Sequence, residues 1–185
     1  MTTRPKPYHH GDLRQSVLAA ALDAIAADGP AALSLRDLAR RAGVSHAAPA
    51  HHFGDRTGLL TAIAAQGYDL LAEALAGAPE LRERGVRYVR FAADHPAHFQ
   101  VMFQPDLLRA DDPDLVAAKA RASAELRAGV ADLAGVPDTR EAGIAAWSLA
   151  HGFATLLLTG NVDAALGGRA PEEYFRSLTG LLFTR

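Results

Sequence analysis

The sequence predicts an all-α fold, and three observations carry that expectation. Apolar residues recur at helical intervals along nearly all of the 185 residues, which is the mark of amphipathic helices. No run alternates apolar and polar residues as a half-buried strand does. In the first third of the chain the elements follow the order long helix, short helix, glycine turn, short helix, a spacing that suits a helix-turn-helix.

The first helix is read in "DLRQSVLAAALDAIAADGP", where Leu13, Val17, Ala20, Ala21, Ala24 and Ile25 share a face and Gly29-Pro30 stops it. Ser34 is expected to cap "LRDLARRAG", with Asp37 at the acid position of a capping box. Gly43 should end that helix in a left-handed turn. The next stretch, "GVSHAAPAHHF", holds a proline inside a short helix. With Ser45 as N-cap, Pro49 would be the fourth helical residue, where its missing N–H loses only the first intrahelical bond, and a cap shifted by one residue would lose none. Ala48 is pushed from helical angles by the proline after it, so an irregular start is expected. Residues 55–76 then form a fourth helix. Further helices are read in "PELRERGVRYVRFAADHP", "AHFQVMFQP", "PDLVAAKARASAELRAGVADLAGVP", "TREAGIAAWSLAHGFATLLLTG" and "PEEYFRSLTGLLF". The last opens with proline and two acids, a favourable helix start. The first seven residues are read as disordered.

Composition excludes several classes. The chain has no cysteine, which removes disulfides, thiolate nucleophiles and Cys-ligated zinc and fits a reducing, cytoplasmic setting. The N-terminus lacks the apolar core of a signal peptide, and no run is read as approaching the roughly 18 apolar residues of a membrane span, so no membrane is expected as a partner. Net charge is −2, but unevenly distributed: residues 1–58 carry seven Lys or Arg against five Asp, giving +2, and residues 59–185 carry twelve against sixteen acids, giving −4. Five of the eight histidines also fall in the first part. A locally basic face can hold phosphates while the rest repels them. No Ser-His-Asp arrangement or phosphate-binding glycine loop is present, and the acids Glu80, Glu83, Asp111, Asp112 and Asp114 cluster near prolines and helix starts, where they favour the helix dipole. The chain is therefore not read as an enzyme, and no cofactor is expected. His95 and His98 have a His-x-x-His spacing, but Pro96 lies between them and no third ligand is evident, so no metal is expected.

The run "LSLRDLARRAGVSHAAPAHHFGDRTGLLTAIA" resembles the DNA-binding domain of the TetR family of bacterial transcription regulators. "YHHGDLR" and "WSLAHGFATLLLTG" further resemble the subgroup whose C-terminal domain is named for a Trp…His-Gly motif. The resemblance implies residues 8–54 as a helix-turn-helix domain and residues 55–185 as a helical ligand-binding and dimerisation domain. It implies a homodimer, a near-palindromic double-stranded DNA operator and a small-molecule effector, most often acting in repression. Carried over residue by residue, the DNA-facing set is Arg36, Ser45, His46, Ala47, Ala48, Ala50, His51 and His52, with Arg56 on a backbone phosphate and Arg4 and Lys6 on a flexible arm. Imidazoles can donate to phosphate or base acceptors, and a methyl group can touch a thymine methyl. Ala50 stands where the family usually has a phosphate-binding tyrosine, which keeps an alternative open: a helical dimer acting through protein partners, with weakened DNA binding.

Phe91, Phe99, Met102, Phe103, Trp147 and His151 are the expected effector pocket, a site type that favours aromatic and soft side chains. These are also residues that any core would contain, and Trp147 with His151, four apart on one helix, equally suits a core pair. Gly152, Thr155, Tyr174, Phe175, Leu178 and Leu182 are the expected dimer seam, because their two helices carry more apolar surface than a bundle of this size hides alone.

Overall fold

The computed structural model describes residues 10–131 and 138–182, and the described residues contain helices and turns but no strand. The arm bearing Arg4 and Lys6 and the side chain of Leu182 lie outside the described residues. Helices α1 (His10–Asp28), α2 (Leu35–Arg41), α3 (Ala48–Phe53) and α4 (Arg56–Leu75) are followed by α5 (Leu81–Asp94), α6 (Pro96–Met102) and α7 (Pro113–Ala131). Helices α8 (Thr139–Leu158), α9 (Asp163–Leu166) and α10 (Pro171–Leu182) complete the chain. Each helix read from the sequence is present. The four-residue α9 was not anticipated, being too short to show a period.

Local chemistry sets most boundaries. Pro49, Pro96, Pro113 and Pro171 each stand in the first turn of a helix, where the N–H they lack would have no intrahelical acceptor. Asp55 caps α4 by accepting from the Gly58 N–H at 2.8 Å, and Asp138 caps α8 by accepting from the N–H groups of Arg140 and Glu141. The expected capping box on α2 does not form. Ser34 makes no side-chain cap, and the Asp37 carboxylate accepts instead from Arg40 and Arg41, each at 2.6 Å. Two guanidiniums at i+3 and i+4 outcompete one backbone N–H for that carboxylate, and they hold its pKa below the usual carboxylate range.

Helix α4 is the spine. It packs against α1 and α3 on one side and against α5, α6 and α7 on the other, burying Leu59, Leu60, Ile63, Ala64, Leu71 and Leu75. The same hydrophobic cluster runs from Val17 in α1 to Phe175 in α10, so both parts of the chain share one core. Gly67 in α4 lets α6 approach: a Cβ there would fall 2.6 Å from the Met102 sulfur.

Behind Gly67, His98 is buried beside Gln66, with Nε2 3.3 Å from the Gln66 side-chain oxygen. Burial first, and the neighbouring His95 second, push its pKa down to about 4. The folded state keeps His98 neutral, whereas the unfolded chain takes a proton near the ordinary value of 6.5. Its contribution to stability is therefore complete above pH 6.5 and is lost as the pH falls toward about 4. Thermal melts of His98→Gln should lose less Tm than the parent between pH 7 and pH 4.5. An equal loss would place the acid sensitivity elsewhere.

Candidate functional site

The turn between α2 and α3 has the geometry that a helix-turn-helix needs. Ala42 closes α2, Gly43 follows with φ +65°, and the N–H groups of Gly43 and Val44 reach back to the carbonyls of Arg40 and Ala39. That pair of bonds is a Schellman motif, and the left-handed residue in it favours glycine. Helix α3 begins later than expected. Ala47, not Ser45, stands at the N-cap, and Pro49 is the second helical residue. Ser45 instead opens the preceding turn, its carbonyl accepting from the Ala48 N–H at 3.0 Å. The later start leaves proline where no intrahelical bond is lost and explains how the helix holds it.

The shift also sorts the DNA-facing candidates. His46, Ala47, Ala50 and His51 are exposed, Ser45 is exposed beside them, and His52 is half-buried. Ala48 is buried with Pro49 and Phe53 and does not belong to the outward face. Residues 42–54 contain no acid, so nothing on this element repels phosphate. Arg36, exposed in the first turn of α2, makes no side-chain hydrogen bond or ion pair among the described residues.

Arg56, expected on a phosphate, has a partner within the fold. Its Nη2 donates to the Pro30 carbonyl at 2.6 Å, tying the start of α4 to the turn after α1, and its Nε is buried without a partner. The residue that reaches this end of α4 from the C-terminal part is Arg109, which sequence reasoning missed. Its side chain donates to Asp55 at 2.8 Å and its backbone N–H to the buried Thr61 hydroxyl at 3.0 Å. Arg56→Ala should therefore lower stability by about 1 kcal/mol, the net worth of one hydrogen bond, and leave the salt dependence of DNA binding unchanged. A change in that salt dependence with unaltered melting would return Arg56 to the phosphate.

Of the expected pocket residues, the structure gathers Phe99, Phe103, Trp147 and His151. The His151 ring stacks on Phe99 with centroids 5.2 Å apart and meets Phe103 edge-on at 4.4 Å, with Trp147 at 5.5 Å. Tyr88, absent from the expected set, ties them together: its oxygen is 2.9 Å from His151 Nδ1 and accepts from the Trp147 indole N–H at 3.3 Å. A buried O–H needs an acceptor, so Tyr88 donates to His151 Nδ1, and His151 carries its own proton on Nε2. Burial pushes the His151 pKa down, consistent with a neutral ring. Phe91 lies apart against His95, and Met102 packs on Gly67.

This cluster is filled with side chains. An open space of about 530 Å³ lies instead between α5, α7, α8 and α10, a cavity with Trp147 as the one expected pocket residue on its wall. On α5 the wall is Leu81, Arg82, Arg84, Gly85 and Tyr88. All but Arg82 fall at i, i+3, i+4 and i+7, one helical stripe, and that spacing was the signal available in the sequence.

The expected dimer residues divide similarly. Phe175 is 1% exposed, lying over Gly85 and against Phe153 within the chain, so it is not at an outer seam. Tyr174 stacks on Phe153 and is half-buried, as is Leu178. Gly152 and Thr155 are exposed on α8, and no atom lies within 4 Å of where a Cβ on Gly152 would sit. Ile144 and Leu156 on the same helix are 57% and 45% exposed, and Leu181 on α10 is 80% exposed. At 20 residues and mean hydropathy 1.2, α8 is long and apolar enough by length and composition to cross a membrane, which corrects the sequence reading that no run approaches that size.

Comparisons with known proteins agree with this geometry. Residues 17–63 match the bacterial regulatory proteins of the tetR family, and residues 81–182 match the tetracyclin repressor-like C-terminal domain. A protein of unknown function from a Rhodococcus species is 32% identical, covers 96% of each chain and superposes with a TM-score of 0.77. The TetR-family regulator PfmR from Thermus thermophilus is 25% identical over 89% of this chain and 95% of its own, with a TM-score of 0.65. An HTH-type transcriptional repressor of Mycobacterium tuberculosis is 39% identical over 69 residues, a match spanning 34% of this chain and 37% of that protein. With a glycine-turned helix pair at one end, a helical bundle at the other and both halves matched in order, this chain belongs to the TetR family of bacterial transcription regulators.

Proposed function

We propose that the protein is a ligand-responsive repressor that binds a near-palindromic operator as a homodimer, residues 8–54 reading DNA and residues 55–185 binding the effector and pairing the subunits. The observation that carries the DNA reading is the outward face of α3 and the turn before it, where His46, Ala47, Ala50 and His51 are exposed with no acid among them. Arg36, uncommitted among the described residues, adds a cation beside that face. Imidazoles and methyl groups on α3 and its turn are assigned to base edges, and Arg36, on the preceding helix, to a backbone phosphate. Trp147, His151 and Gly152 fall together on α8 and support placing the chain in the Trp-His-Gly subgroup.

Titration on operator and scrambled duplexes tests the assignment. Arg36→Ala should weaken binding to both duplexes about equally and reduce the salt slope by about one unit. His46→Ala and His51→Ala should change which sequences are preferred. If Arg36→Ala altered preference while neither histidine variant did, α3 would not be the reading helix.

The dimer seam is assigned to the outer side of α8 and α10, along Ile144, Gly152, Thr155, Leu156 and Leu181. A surface this apolar on a single chain calls for a cover, and a second copy covers it with two-fold symmetry. Two recognition helices would then lie about 34 Å apart, one turn of DNA. Because Gly152 has open space around it, Gly152→Arg should leave the melting of the isolated fold intact and convert a sedimenting dimer to monomer. A dimer unaffected by that change, or a monomeric parent at micromolar concentration, would move the seam or remove it.

A further inference from the structure

The cavity between α5, α7, α8 and α10 has an unusual polar inventory. Of its polar wall groups, the buried Tyr88 hydroxyl is committed to His151, and the indole N–H of the more exposed Trp147 donates to Tyr88. The Thr179 hydroxyl donates to the Arg176 carbonyl. Glu80 and Arg82, at the start of α5, are exposed, and their charges oppose one another. That leaves Arg84, which is only 9% exposed and lines the cavity. Its Nη1 is saturated by the Leu75 carbonyl at 3.2 Å, the Glu125 carbonyl at 2.8 Å and the Glu125 carboxylate at 3.0 Å. Its Nε is enclosed beside Gly129 and has no partner. Nη2 makes no hydrogen bond among the described residues and is the nitrogen left to meet a guest.

We infer that this cavity is a binding site for a monocarboxylate with an apolar body, its carboxylate held by Arg84 Nη2. The unused hydrogen-bonding capacity of the buried wall is that of a cationic donor, so the guest must bring an acceptor. Hydrogen bonds to an ionised group are roughly twice as strong as neutral ones, and a carboxylate adds a second charge and a planar pair of acceptors that matches a guanidinium. Glu125 engages the Nη1 edge of the guanidinium and leaves the other edge for a second carboxylate, an arrangement that a planar fork of five N–H groups allows. The rest of the wall is apolar, with Leu81, Leu126, Val130, Ala146, Leu149 and Phe175. A volume of about 530 Å³ lies within the range of small-molecule sites and accepts a chain of roughly ten carbons. Gly129 is required by the same arrangement: a Cβ there would collide with the Arg84 side chain. The inference deepens the effector reading above and rests on it only for the consequence at DNA.

Calorimetric titration of the full chain with decanoate and with methyl decanoate tests it, alongside Arg84→Gln and Ala146→Phe. Decanoate should bind at least ten-fold more tightly than the ester. Arg84→Gln should remove that preference, and Ala146→Phe, which puts a bulky ring into the cavity from α8 and keeps Arg84 in the chain, should abolish binding of both. Equal affinity for acid and ester, no binding of either, a preference that survives Arg84→Gln in folded protein, or decanoate binding that survives Ala146→Phe would each overturn the site. Should Arg84→Gln fail to fold, the ester comparison and Ala146→Phe still decide. Operator release is measured separately: decanoate that binds as expected and leaves DNA affinity unchanged would uphold the carboxylate site and overturn the effector reading.

Discussion

Helix α4 buries Leu59, Leu60, Ile63, Leu71 and Leu75 along its length while packing on α1 and α3 and on α5, α6 and α7, and this apolar strip, with the contact of α1 on α6, joins the two parts of the chain in one core. Each such side chain contributes roughly 1.5–3 kcal/mol by leaving water, so the strip outweighs any ion pair at the same junction. Helix α3 packs on α1, α2 and α4, and α4 continues from there into the bundle. Asp55 makes the joint specific: one carboxylate caps α4 through Gly58 and holds Arg109 from the segment before α7. The bond to Gly58 first, and Arg109 with it, keep its pKa below the usual carboxylate range, so the joint stays charged near neutral pH.

Arginine commitment narrows the basic face of the N-terminal part. Arg40 and Arg41 share Asp37, Arg56 holds the Pro30 carbonyl, and Arg14 lies over the Phe53 ring. Among the arginines of α2 and the start of α4, Arg36 alone has no such commitment within the described residues. A positive count in a stretch of sequence thus overstates the charge available to phosphates, because a guanidinium with five N–H groups readily finds carbonyls and carboxylates of its own fold.

The aromatic cluster and the cavity beside it divide two tasks that the sequence reading had combined. Phe99, Phe103 and His151 fill space and lock the tautomer of His151 through Tyr88, which fixes α8 against α5 and α6. The cavity opens on the other side of Tyr88 and Trp147, where small residues of α8, Ala142, Ala146 and Ala150, leave room. Rigid aromatics on one side and missing side-chain volume on the other are what keep such a space from collapsing.

The sequence by itself determined the all-α fold, nearly every helix and the left-handed turn at Gly43, because periodicity, prolines and glycines act within a few residues of where they stand; the outward positions His46, Ala47, Ala50 and His51 came from the family resemblance, which carried the buried Ala48 with them. Tertiary structure alone decided which outward residues stay free. Ala48 turned inward once α3 started two residues later, Arg56 found a carbonyl 26 residues away, and Phe175 found the bare backbone of Gly85 rather than a second chain. The cavity and the role of Arg84 were equally illegible, since a void depends on four helices and on the side chains that are small in each. A linear pattern states what a residue prefers; only the packed chain states which of several satisfactory partners reaches it first.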